Sequence, residues 1–383
     1  MGISRMRGTL AILFFTLVIV GPCQTHAVEF KAEIFAEEKT IPPGPNVFAN
    51  ETGWDGASRI HIYGQHGLAY KGELSLGLNS QLVLSLDGKQ VLAFSHYMKR
   101  YTYGPVETAL QVFDVATARP LYEIIVPSKA VEANPMSNLI ARSDDGHYVY
   151  IQNATPATSV TVVDMARKSV IDEVPLPGCY GIIPARQGLR FATLCGTGKI
   201  KTVAFREGKH SIKESAKIFD VDKDALFIHS QRARNGLLVL TSFQGNLYLI
   251  DDSQDTAKLV DILPIARDIP GHWVPGGYQV SAYNAPHDVL FLLMHPNGRE
   301  GSHKDPSQEL FAYSLADHKV ITRSKAPQLT SIVVTQDEDP LIYGSNKEQK
   351  TIVEYTQEHK GSFVFRQSAM DGRAGGAKSL AAP

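Results

Sequence analysis

Charge of one sign is what this sequence most lacks: 38 Lys and Arg stand against 39 Asp and Glu. Those basic residues are spread along the chain, so the clustered positive surface on which nucleic-acid binding rests is not expected. Cysteine is scarce too, at three residues in 383, which excludes a disulfide-dense scaffold. No Cys-x-x-Cys-His, His-Glu-x-x-His or Gly-x-Ser-x-Gly occurs, removing covalent haem, the zinc-protease helix and the serine-hydrolase elbow. Gly196-Thr-Gly-Lys199 resembles a phosphate loop, but Thr193 replaces its first glycine and Ile200 its magnesium-binding hydroxyl. Apolar runs are short, and none approaches the ~20 residues that cross a bilayer as a helix.

What is present starts with a leader. Arg5 and Arg7 precede the apolar run Thr9–Val20, and Thr25-His26-Ala27 supplies a small-x-small cleavage site. Residues 1–27 therefore read as a secretory signal peptide. A lipid anchor on Cys23 is disfavoured by Pro22, since such cysteines follow a small residue. Export to an oxidising compartment, without a membrane anchor, is the expectation.

Cleavage would leave Cys179 and Cys195, a pair whose expected state there is a disulfide. Both lie on strand-like runs flanking Ala185-Arg-Gln-Gly188, and a hairpin centred on Gln187 sets them opposite each other. Gly188 would close a three-residue loop in the left-handed conformation. Opposed residues lie about 4.5–5.5 Å apart at Cα, within disulfide reach. Two free buried thiols are the alternative.

Stacking the remaining segments exposes a repeat. An Asp-Gly or similar turn leads into a short apolar strand, then a second strand often ending in Asp, a turn, and a third strand. Asp87-Gly88 opens one such unit, with Val91–Phe94, Leu110–Asp114 and Leu121–Ile125. Asp145-Gly146 opens another, with Tyr148–Ile151, Val160–Asp164 and Val170–Val174. Weaker copies begin near Asn46, Cys179, Gly236, Val289 and Pro340. Seven units at a mean spacing of roughly 47 residues match the period of propeller blades. The expected fold is all-β, a seven-bladed β-propeller over residues 28–371; a pair of β-sandwiches gives less reason for the repetition. Residues 372–383, rich in Gly and Ala, are expected to be a disordered tail.

Chemistry is harder to find. His295 and His303 share a polar loop, better read as a solvated connection than as a metal site, and no metal is expected. Trp54 and Trp273, the two tryptophans, sit in loops. Each suits either a ring packed over a blade end or an anchor at a partner interface. No catalytic constellation is legible.

Four stretches nevertheless carry a resemblance: Ile151–Ser159 (IQNATPATS), Pro177–Tyr180 with Cys195, Trp273–Tyr278 (WVPGGY) and Met294–Lys304 (MHPNGREGSHK). In this order they resemble the heavy subunit of the tryptophan tryptophylquinone amine dehydrogenases, the methylamine and aromatic amine enzymes of bacterial periplasms. The likeness runs through essentially the whole mature chain, and several motifs lean toward the aromatic amine branch. It implies a propeller that pairs with a small light subunit, two heavy with two light. It implies no cofactor in this chain: the tryptophan tryptophylquinone and the catalytic base belong to the partner light subunit. A small primary amine, methylamine or an aromatic amine, would be oxidised to aldehyde and ammonia. Electrons would leave through a blue copper protein, amicyanin- or azurin-like. By the same resemblance Cys179 and Cys195 match the heavy-chain disulfide. Trp54 falls in the first-blade loop, shorter here, where an aromatic lines the methylamine enzymes' substrate channel. The alternatives are a stand-alone propeller acting as a lactonase-like hydrolase, or a periplasmic ligand-binding protein.

Overall fold

The computed structural model describes residues 38–53, 56–100, 103–131 and 137–383. The expected signal peptide and Trp54 lie outside them. Seven antiparallel sheets stand around one axis as the blades of a β-propeller. From the innermost strand outward, blade 2 is Leu78–Leu84, Gln90–Arg100, Tyr103–Asp114 and Arg119–Val126. Blade 3 is Ile140–Arg142, Tyr148–Asn153, Ser159–Asp164 and Ser169–Pro175. Blade 4 runs Cys179–Pro184, Arg190–Cys195, Ile200–Arg206, Lys209–Glu214; blade 5 runs Leu226–Arg232, Leu238–Ser242, Asn246–Asp251, Lys258–Pro264. In blade 6 the inner strand is broken into Val274–Pro275 and Ser281–Asn284, followed by Val289–His295, Glu309–Ser314 and Lys319–Lys325. Blade 7 is Leu329–Val334, Ile342–Asn346, Thr351–Gln357 and Phe365–Asp371.

Blade 1 departs from this order. Its inner strand is Ala377–Ala381, from the chain's far end, paired with Asn46–Glu51, then Arg59–Gly64 and Tyr70–Ser75. The expected disordered tail is thus a closing strand. Its Gly and Ala content suggests disorder, but a slot between blades 1 and 7 buries Ala377, Ser379 and Leu380. Tertiary context outweighs propensity there.

The apolar strands follow from burial on both faces. Val91 and Ala93 pack with Phe48, Ile60 and Ile62 of blade 1. Their alternates Leu92 and Phe94 pack with Val149 and Ile151 of blade 3. A sheet covered on both sides needs continuous hydrophobic runs, which is the pattern that made the strands legible. The recurrent Asp also has a structural role. Asp114 and Asp164 accept the N–H of Thr117 (2.8 Å) and Arg167 (2.9 Å), closing the turn to the outer strand. The Asp-Gly turns work alike: Ser143 donates to Asp145 (2.5 Å), His147 N–H donates to the same carboxylate, and Gly146 takes φ 73°.

The cysteine hairpin forms with Cys179 opposite Cys195 and a disulfide, Cα–Cα 3.9 Å. Its turn is one residue longer than expected. Ala185 and Arg190 are joined across the loop, so four residues lie between them, and Gly188 has φ 70°. A bulge between Tyr180 and Ile183, with Gly181 at φ 84°, restores the register. Cys179→Ser with Cys195→Ser is expected to destabilise by about 2 kcal/mol in urea unfolding. That is the low end for such loops, because a hairpin can persist in the unfolded chain. An unchanged midpoint would remove the disulfide from the list of stabilising features.

Candidate functional site

Blade topology decides which segments meet. The innermost strand of each blade starts at one face of the disc, the second strand ends there and the third begins there. The second-to-third loops and the blade-to-blade connections therefore share that face. All four stretches singled out in the sequence lie on it: Ile151–Ser159 between strands of blade 3, Pro177–Tyr180 entering blade 4, Trp273–Tyr278 entering blade 6, and Met294–Lys304 within blade 6. The second-to-third connection of blade 1, described at Thr52, Gly53 and residues 56–58, starts and ends on it too. Its ends are anchored, Gly53 N–H donating to Ser58 Oγ (3.0 Å) and Asn79 N–H to Gly53 O (2.9 Å).

The face is pinned by backbone closeness. Gln152 Oε1 accepts the N–H of Gly181 (3.0 Å), joining blades 3 and 4. In blade 6, Gly277 at φ 129° donates to His303 O (3.0 Å), and a Cβ there would stand 2.3 Å from Thr330 O. Only glycine fits that approach.

His295 is not the solvated loop residue expected. It ends strand Val289–His295 with 3% of its surface exposed, and its Nε2–H donates to Ser302 O (3.0 Å). Burial pushes its imidazole below the ordinary value, and burial followed by the Lys304 charge does the same to His303. His303 stacks on Phe243, centroids 4.1 Å apart, with Phe227 tilted against Phe243 at 4.6 Å. This aromatic cluster joins blades 5 and 6, and sequence reasoning missed it, because its three members are far apart in the chain with no shared motif. Among the described residues no three His, Cys, Asp or Glu side chains form a metal-binding group.

Trp273 is half-buried over the core between blades 5 and 6. Its ring lies 5.1 Å from Phe311, Arg323 stacks on it at 4.6 Å, and its N–H donates to Pro270 O (3.0 Å). Ring packing over a blade end accounts for those contacts. A further feature is a ribbon on blade 2. Inner-strand pairing stops at Leu78–His96, whereas the next two strands continue paired to Arg100 and Tyr103. The projecting Tyr103 is 60% exposed beneath the Arg100 guanidinium. The face thus offers aromatic rings and fixed backbone.

The methylamine dehydrogenase heavy chain family model matches residues 58–371, nearly the whole propeller. The chain belongs to that family. The methylamine dehydrogenase heavy chain of Methylobacillus flagellatus is 25% identical over 288 residues, covering 73% of this chain and 71% of that one. The heavy chain from Methylorubrum extorquens is 26% identical over 283 residues, 72% and 68% of the two chains. Among solved structures, a putative 6-phosphogluconolactonase from Bacteroides fragilis superposes with TM-score 0.62 at 10% identity, covering 92% of this chain and all of that one. A protein of unknown function from Desulfotomaculum acetoxidans gives 0.60, also at 10% identity, covering 88% and 99%. At such identity these two show the fold alone. Family membership makes the heavy chain one part of an amine-oxidising complex with a light chain.

Proposed function

We propose that this chain is the exported, non-catalytic heavy subunit of a periplasmic quinoprotein amine dehydrogenase, assembled as two heavy and two light subunits. The observation that carries the reading is the family match along the propeller, together with the gathering of the family-like stretches on one face. The light subunit would lie across that face, over the blade 2 ribbon and the Phe243–His303 stack. Tryptophan tryptophylquinone, made from two tryptophans of the light subunit, would supply the two-electron oxidation of a primary amine to aldehyde and ammonia, with electrons passing on to a blue copper protein. Trp273 is unsuited to such a group, because its ring is held between Phe311 and Arg323. This chain's part is to hold a rigid wall and to shape amine access.

Native purification from the periplasm tests the reading through subunit masses and a visible spectrum on one fraction. A small co-purifying chain whose quinone absorption bleaches with methylamine or an aromatic amine is expected; a colourless single species would overturn it. Trp54→Ala is expected to change the ratio of kcat/KM for a bulky aromatic amine to that for methylamine about tenfold, the discrimination one ring contact can supply. The same ratio in an intact complex would remove Trp54 from the access path.

A further inference from the structure

The inner strands enclose a central channel, and its end at the opposite face of the disc is built differently. There the innermost strands of blades 2 to 6 finish, and their turns surround a cavity of about 660 Å³. Arg142, Arg186, Arg232 and Arg234 line it, against one carboxylate, Asp144. Arg232 is neutralised from behind by Asp252, its Nη2 2.8 Å from Oδ2. The other three guanidinium groups form no ion pair among the described residues. Arg142 donates from Nε to Leu84 O (2.9 Å), and Arg234 from Nε to Ala285 O (3.1 Å). Carbonyls fix those side chains without cancelling their charge. Arg186, exposed on the hairpin turn of blade 4, makes no hydrogen bond among the described residues.

Three guanidinium groups without a direct ion pair face one exposed carboxylate, Asp144, whose charge acts on Arg142, and the balance leaves the cavity net positive. Arg142 is partly buried, and burial opposes its charge. Leu82, Ile140, Pro184 and the ring of Tyr283 supply apolar wall. The Tyr283 hydroxyl is occupied by Asp288 (2.6 Å). A concave site of this size with apolar walls and a few convergent polar groups is the form small-molecule sites take. Guanidinium groups match planar carboxylates and phosphates.

We propose that the channel end formed by Arg142, Arg186 and Arg234 binds a small organic oxyanion, a molecule with two or more carboxylate or phosphate groups.

Calorimetric titration of the full chain with citrate and with inorganic pyrophosphate tests this and separates the two head groups. At least one probe is expected to bind saturably at one site per chain with sub-millimolar Kd, more weakly as salt rises. Arg186→Gln alters an exposed turn residue that makes no hydrogen bond or ion pair among the described residues, and should weaken binding about tenfold, as for loss of one charge-assisted hydrogen bond. Asp144→Asn removes the competing carboxylate and should tighten binding severalfold. Absence of saturable binding by either probe up to about 10 mM overturns the proposal. Binding indifferent to both substitutions overturns it equally, since the anion would then sit elsewhere.

Discussion

Deletion of residues 377–383 is expected to abolish the cooperative fold, leaving a chain that aggregates or melts far below the intact protein. Ala377–Ala381 is the inner strand of blade 1, paired from Phe48–Ala381 to Glu51–Ala377. Two further blades hold it. Gln279 of blade 6 bonds Leu380 through both amide atoms, accepting its N–H (3.0 Å) and donating to its carbonyl (3.2 Å). Ser331 and Ser345 of blade 7 donate to the carbonyls of Lys378 (2.6 Å) and Ala377 (2.5 Å). Asn50 Nδ2 of blade 1 itself binds Ser80 O of blade 2 (2.9 Å) and Ser379 Oγ (3.3 Å). Removing the strand strips all of these at once and opens the apolar slot between blades 7 and 1. Leu380→Ala isolates the packing part. Leu380 is 5% exposed beside Val47, Tyr343 and Ile352, so its truncation should cost about 3 kcal/mol in urea unfolding. A shortened chain that melts with the intact one would sink this account of closure.

Stability is also expected to fall as pH drops below about 6.5, with His229 responsible for a definable share. His229 is enclosed in the channel wall. Ser281 O, an acceptor only, takes the Nε2–H (2.7 Å), leaving Nδ1 to accept from the Ser137 hydroxyl (2.6 Å). Burial pushes the imidazole down to about 4 from its ordinary 6.5. Above pH 6.5 the group is neutral folded and unfolded and contributes nothing. Between 6.5 and 4 the unfolded chain takes up a proton that the folded one refuses, so stability is lost as pH falls. The gap amounts to about 3 kcal/mol. Urea unfolding of the intact protein and of His229→Gln at pH 7.5 and pH 4.0 separates this share from the other histidines. The intact protein should lose about 3 kcal/mol more than the variant over that interval; parallel losses would mean that His229 takes up its proton in the folded state.

Periodic features could be read from the chain because they arise within a blade. Val91–Phe94 and Leu110–Asp114 are apolar for burial on two faces and end in a carboxylate that caps a turn, so the unit announces itself each time. Cys179 and Cys195 were legible as a hairpin pair, although the bulge at Gly181 that sets their register was not. Residues that meet only because seven blades close on one axis left no signal. Arg142, Arg186 and Arg234 come from three blades, and Phe243 reaches His303 across the boundary between blades 5 and 6. His295 looked solvated amid polar neighbours, but its strand carries it inward, where Ser302 O takes its N–H. Ala377–Ala381 carries a single large apolar side chain, Leu380, too little pattern to be read as a strand, since the slot supplies the apolar surroundings.

The pairing of Phe48 with Ala381 has a bearing on how the protein is made. Synthesis delivers the outer three strands of blade 1 first and their inner strand last, so Asn46–Glu51 presents an open edge while the other six blades are being completed. Bringing such distant segments together carries the chain's largest loop-closure entropy, and an open edge invites pairing with another chain in the meantime. A polypeptide interrupted anywhere upstream keeps that edge for good. Closure of the ring therefore doubles as a check on length: only a chain translated through residue 381 can hide it.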